Sequence, residues 1–183
     1  DKAIYPEGHP YNWQVIGELV DLQSATVADV REFYEKFYGP NNATLVLVGD
    51  FETDQAKAMI EKYFGEVKRG QEVPKLKPMR TTLEQSKRLY HEDNFATTAQ
   101  LNMVWPTLEQ YTDDAYALDV LAELISSGKN APLYKVLEKE KGLSSSYYSF
   151  NRSAELAGVF RVSITANDGK SLKDVEAGVN QAF

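Results

Sequence analysis

The chain has 183 residues, 43% of them apolar and 11% aromatic, with 27 acidic against 20 basic side chains and a formal charge of -7. That apolar content can fill a hydrophobic core, while an acidic balance without basic clusters argues against a nucleic-acid or anionic-membrane surface, which needs positive charge. The lack of cysteine excludes disulfides, thiolate zinc knuckles and a thiol nucleophile; no apolar run approaches the roughly 20 residues of a membrane span, and the opening DKAIYPEG has neither the basic nor the apolar region of a signal peptide.

In chain order, the first feature is a proline-bracketed turn, YPEGHPYN at 5–12, holding one of the two histidines. Thr26 predicts an N-cap for a helix to about Tyr38, with Val27, Val30, Phe33, Tyr34 and Phe37 at helical spacing and Gly39-Pro40 as its stop. ATLVLVG at 43–49 reads as a strand covered on both faces, because its β-branched and Leu residues run almost without interruption. A helix from a Thr53 cap to about Phe64 presents Ala56, Met59, Ile60 and Tyr63 along one side. Residues 65–86 carry two glycines, two prolines and many charges with weak periodicity, the composition of a linker.

Beyond the linker, strands are predicted at 87–92 and 99–105, and a long helix from Thr112 to about Ser126. A helix from Pro132 to Lys141 stops at Gly142, strands follow near 145–151 and 157–166, and Ser171 caps a final helix. The class is α+β, with antiparallel strands where connections are short. The last helical pattern is still running at Phe183, and the sequence reads as an internal piece of a longer chain.

No residue pattern marks an active site. His9 and His91 each have carboxylates nearby (Glu7; Glu92 and Asp93), but neither has a second histidine at i+4, and both read as structural. The serines at 144–146 lack a nucleophile elbow and read as a strand start. Asp113 and Asp114 sit where a helix N-terminus favours negative charge. No phosphate-binding glycine loop is present, and Phe33, Tyr34, Phe37 and Tyr38 recur at the spacing of a packed helix face.

A resemblance adds to this. HPY at 9–11, Ile16-Gly17, Thr26 with Asp29-Val30, Phe33-Tyr34, Phe37-Tyr38, Pro40-Asn41-Asn42 and the run LVLVGD are similar to the stretch downstream of the active site in the insulinase/pitrilysin family of zinc metallopeptidases. PLYKVLEKEKGLSSSYYSF at 132–150 resembles a segment early in that family's next homologous domain. The resemblance implies insulinase-like domains, each a mostly antiparallel sheet with helices packed on one face. Residues 1–66 would be the end of a first domain, 67–86 a linker, and 87–183 the start of a second.

It further implies a zinc endopeptidase that hydrolyses peptides in an enclosed chamber, with this segment contributing wall and substrate contacts; the alternative is a noncatalytic family member acting as a scaffold or assembly subunit. Zinc would be held in the parent by an H-x-x-E-H motif, which does not occur here, so no catalytic, cofactor-binding or metal-ligating residue is assigned to these 183 and the piece alone is expected to be inactive. An arginine and a tyrosine that shorter members use to steady substrate fall at Pro132 and Ser145; a shift of two residues would put Tyr147 in the tyrosine's place. The implied partners are peptide or unfolded polypeptide substrate, the remaining domains of the parent, and a second copy through exposed strand edges. Family habit points to the bacterial periplasm or cell envelope.

Overall fold

The computed structural model describes residues 2–183. The chain divides into two compact units, one formed by Gln14–Leu76 and the other by Lys77–Phe183 with the N-terminal residues up to Trp13. The N-terminal turn therefore belongs with the later unit, although the sequence reading groups it with the residues that follow it.

The Gln14–Leu76 unit contains α1 (Leu19–Ser24), α2 (Val27–Phe37), a 3-10 turn (Pro40–Asn42) and α3 (Thr53–Phe64). Local chemistry explains α2. The Thr26 hydroxyl accepts from the Asp29 N–H at 3.3 Å and the Asp29 carboxylate accepts from the Thr26 N–H at 2.8 Å, a reciprocal box that satisfies two end donors. The Thr26 hydroxyl also donates to the Asp29 carboxylate at 2.7 Å, and this bond first, then that from the Thr26 N–H, holds the Asp29 carboxyl below the usual carboxylate range. Past the helix, Asn41 receives the Gly70 N–H at 2.7 Å and donates to the Gln71 carbonyl at 3.0 Å. A Cβ on Gly39 would stand 2.7 Å from the Gly70 Cα, so this clasp needs glycine there.

Two expectations fail in this unit, and one helix forms that the sequence does not announce. Thr53 is the first residue of α3 rather than its cap, which is Glu52 and makes no side-chain cap bond. The six-residue α1 has no side-chain N-cap bond and no buried residue, so the sequence carries little signal for it. Residues 43–48 are not a strand: among the described residues 44–48 make no backbone hydrogen bond, and Val46 and Val48 are 74% and 93% exposed. The run has the composition of a strand buried on both faces, and the unit provides neither ladder partner nor cover. The α2 aromatics likewise pack on one another instead of in a core, with ring centroids 4.7 Å apart for Phe33 and Phe37 and 5.1 Å for Tyr34 and Tyr38.

The later unit is built on an antiparallel sheet of β1 (Gln100–Thr107), β2 (Ser146–Ser153) and β3 (Gly158–Thr165), ordered β1-β3-β2. Successive side chains on a strand point to opposite faces, so Phe160, Val162 and Ile164 share one face of the central strand. They join a core with Ala122 of α4 (Asp113–Ser126), Leu133 and Leu137 of the segment around the π-helical turn Tyr134–Glu140, and Val175 and Val179 of α5 (Leu172–Ala182). Helices thus cover one face of the sheet, as the α+β reading expects.

Two local features depart from the sequence reading. The helix expected from Pro132 to Lys141 widens into a π-turn, with the Lys141 N–H donating to the Val136 carbonyl at 3.1 Å. Apolar spacing cannot separate that width from an α-turn. Residues 87–92 form no strand and every one is exposed, because Leu89 and Tyr90 would point to opposite faces and leave neither face apolar. Arg88 instead makes a bidentate ion pair with Glu176 of α5, at 2.6 and 2.7 Å.

Candidate functional site

His9 is the best-defined polar centre of the chain. Its ring is 4% exposed and stacks on Tyr5 at a centroid distance of 4.6 Å. The Tyr11 N–H, which can only donate, reaches Nδ1 at 3.0 Å, so Nδ1 must accept; the ring proton then sits on Nε2 and is donated to the Met79 carbonyl at 2.8 Å. Both nitrogens are committed. Around them the Asn12 amide donates to the Tyr5 carbonyl at 2.7 Å, the Tyr11 hydroxyl receives the Leu156 N–H at 3.1 Å, and the Met79 N–H donates to the Leu156 carbonyl at 2.7 Å. The HPY turn is therefore a latch that ties the N-terminal turn to residue 79 and to the β2–β3 connection. A metal would have to break one of the ring's bonds to use it as a ligand.

The residues present do not fit zinc. His91 is exposed, and among the described residues no group of three or more His, Cys, Asp or Glu side chains stands close enough to hold an ion.

The serines at 144–146 are anchors. Buried Ser144 donates to the Thr165 carbonyl at 2.6 Å, and the hydroxyl and N–H of Ser145 both donate to the Asn167 side-chain oxygen at 3.2 Å. These bonds fix the entry of β2 and place no base beside a hydroxyl. Pro132 lies in the first turn of its helix, where a missing N–H costs nothing. Tyr147 packs partly on the core and donates its hydroxyl to Glu138 at 3.0 Å; burial first, then this bond, pushes the phenol up to about 12. Asp113 and Asp114 lie in the first turn of α4, whose Thr112 cap receives the Ala115 N–H at 3.3 Å.

The sheet edge is the feature with most scope for contact. On β2 the Ser149 N–H donates to Ser126 of α4 at 3.2 Å and the Asn151 amide donates to Asp119 at 3.0 Å, so α4 blunts this edge in part. Beside it lies an open cleft of about 430 Å³ bordered by Tyr111, Tyr116, Asp119, Phe150 and Arg152. Tyr111 is in the left-handed region at φ 64°, which costs a non-glycine residue about 1 kcal/mol. The sequence reading does not single out this cleft, because its residues come from a loop, a helix and a strand that only the fold brings together.

Comparisons with known proteins agree with this architecture. The model of the Peptidase M16 inactive domain matches residues 24–183. The Helicobacter pylori zinc protease PqqE is 28% identical over 156 residues, covering 83% of this chain and 35% of the relative. The Bacillus subtilis protein YmfF, described as a probable inactive metalloprotease, is 26% identical over 179 residues, covering 93% of this chain and 38% of its own. The chain therefore spans little more than a third of the length of these relatives. A crystal structure of a protease from Helicobacter pylori superposes with a TM-score of 0.76 at 24% identity, covering 94% of this chain and 42% of that one. A peptidase M16 inactive domain from Pseudomonas fluorescens gives 0.75 at 19% identity, covering 100% and 43%. With a match over most of its length and the same fold as these structures, the chain belongs to the peptidase M16 inactive-domain family, the zinc-metallopeptidase family that its sequence resembles.

Proposed function

We propose that this chain is a non-metal-binding part of a zinc endopeptidase, contributing wall and substrate contacts to a chamber whose zinc is held by other residues of the parent. The family match over residues 24–183 carries this reading, and the zinc protease from Helicobacter pylori, similar over 83% of the chain, supports it. In this reading the chain holds the end of one insulinase-like domain, the linker and the start of the next, and the implied substrate is a peptide or unfolded polypeptide. Extended substrate meets the wall through sheet edges. The cleft of Tyr111, Tyr116 and Phe150 beside β2 offers it an aromatic contact.

The pure 183-residue chain is expected to hold no stoichiometric zinc and to leave a quenched fluorescent peptide uncut, while the parent holds zinc, cuts the peptide and loses turnover to a chelator. Chelator-sensitive cleavage by the 183-residue chain overturns the proposal. A second reading, a noncatalytic scaffold, draws on the similarity to the probable inactive metalloprotease of Bacillus subtilis over 93% of this chain; a parent that binds no zinc and cuts no peptide decides for it.

The proposal extends to self-association. Leu45, Leu47, Phe51, Met59 and Tyr63 line an apolar groove of about 470 Å³ within the Gln14–Leu76 unit, beside a run with unpaired backbone. Such a surface invites strand pairing between copies. Light scattering after size exclusion should show dimers or larger species that grow with concentration; a monomer at all concentrations rejects this.

A further inference from the structure

The face of the sheet opposite the helices has its own chemistry. It is set by register: Arg161 on β3 pairs with Val104 of β1 and Phe150 of β2, Ser163 pairs with Asn102 and Tyr148, and Val159 pairs with Pro106 and Arg152. At the remaining end Thr165 pairs with Gln100 and Ser146, so no position on this face is acidic. In a chain with 27 acidic side chains against 20 basic ones, that patch is positive while the whole is negative.

Arg161 is the centre of the patch. Its Nε is the one buried side-chain nitrogen or oxygen among the described residues that lacks a hydrogen-bond partner. No ion pair among those residues reaches Arg161 or Arg152. The guanidinium carbon of Arg161 lies 5.9 Å from the Phe150 ring centroid, a contact that positions the group without meeting its donors. Elsewhere the arginines of this unit do find carboxylates: Arg80 pairs with Glu109 at 2.7 and 2.9 Å, and Arg88 with Glu176. A buried donor of a charged group costs free energy while unpaired. Arginine's planar fork suits a carboxylate, which takes two of its N–H groups at once.

We propose that this face is a subsite for an acidic segment of extended polypeptide, whose carboxylate bonds to Arg161 while its neighbours lie along Tyr148 and Phe150. The two rings are stacked 6.0 Å apart, close to the separation of same-face side chains on an extended strand. The face is accessible, with Tyr148 49% exposed and both Asn102 and Arg152 exposed. Charge complementarity selects the occupant; that it is a peptide rests on the hydrolase reading above. The subsite would give that reading a preference for acidic substrates.

Fluorescence anisotropy on the 183-residue chain tests this with a labelled ten-residue peptide alternating glutamate and valine, and its counterpart with glutamine at every glutamate. The acidic peptide should bind about tenfold more tightly in low salt, and the preference should fade as salt screens it. Arg161→Met should abolish the preference with little effect on the glutamine peptide, and Arg161→Lys should restore part of it. Its melting temperature should stay near wild type, since the substitution removes an unpaired buried donor; if Arg161→Met does not fold, the two peptides and the salt series on wild type decide instead. Equal affinity for the two peptides, or a preference that survives Arg161→Met, overturns the proposal. Concentration-dependent dimerisation abolished by Arg161→Met would assign the face to a second copy and overturn it as well. Because binding is read without cleavage, a parent lacking peptidase activity would reject the hydrolase reading alone, and acid-blind binding would reject the subsite alone.

Discussion

The two units of the chain are made from similar sequence material and reach opposite outcomes. In Lys77–Phe183 the side chains of Leu133, Leu137, Val162, Ile164, Val175 and Val179 are fully buried. In Gln14–Leu76 none of the three α-helices buries a residue, and Val30, Phe33, Leu45 and Phe64 are each more than half exposed. Both units have amphipathic helices, and both have a strongly apolar run. The difference is a sheet: β3 has a paired neighbour on each side and helices over one face, whereas residues 43–48 have neither. Helices close their hydrogen bonds within themselves, so a cap and a propensity suffice to outline them. A strand closes nothing until another strand arrives.

Truncating the core should have the largest effect. Ile164→Ala is expected to lower stability by about 2–5 kcal/mol, as buried Leu, Ile and Met truncations do, while Val48→Ala in the exposed run should stay within about 0.5 kcal/mol; urea melts of the two variants measure the contrast. A large loss from Val48→Ala would show that the run is buried in solution. Breaking the latch comes next. His9→Leu leaves the Met79 carbonyl and the Tyr11 N–H without partners and should cost about 1–3 kcal/mol. Its signature would be faster amide exchange at Tyr11, Met79 and Leu156.

Thr26→Ala removes the capping box and should cost about 1 kcal/mol, felt as faster exchange along α2 while β3 stays protected. Loss of β3 protection in this variant would mean that the units melt as one. The smallest effect is electrostatic. The Arg80 guanidinium, by hydrogen bonding, holds the Glu109 carboxyl at about 2, against an ordinary value of 4.5. A depressed carboxylate stabilises the fold above its unfolded value and loses that contribution on acidification. Glu109→Gln should therefore flatten the fall in urea midpoint between about pH 4.5 and pH 2, and an unchanged acid limb would show that the pair does not persist in solution.

Much of this was legible beforehand, for identifiable reasons. Thr26, Thr112 and Ser171 are polar oxygens ahead of apolar periodicity, and each caps the helix it announces. Alternation in GVFRVSIT gives β3 and its two faces. His9 was legible as structural because no partner histidine stands at i+4, though nothing in its neighbours names Met79, which is 70 residues away. KRLYHED at 87–93 misleads because its cations find partners outside any ladder, Lys87 donating to the Ala3 carbonyl and Arg88 to the Glu176 carboxylate. The cleft beside β2 and the orphaned Arg161 were invisible for a different reason: the cleft is drawn from a loop, a helix and a strand, and Arg161 is defined by its cross-strand neighbours.

Sequence alone determined the caps of α2, α4 and α5, the helical faces, the α+β class and the family resemblance, because these depend on residues within a few turns of each other. Tertiary structure decided the rest. It chose which apolar run is buried, joined the HPY turn to residue 79, widened the helix at Val136 into a π-turn, and left Arg161 and Arg152 without an ion pair among the described residues. Burial, ladder pairing and charge pairing are satisfied by residues distant in the chain, and a local pattern states the need for a partner without saying whether one arrives.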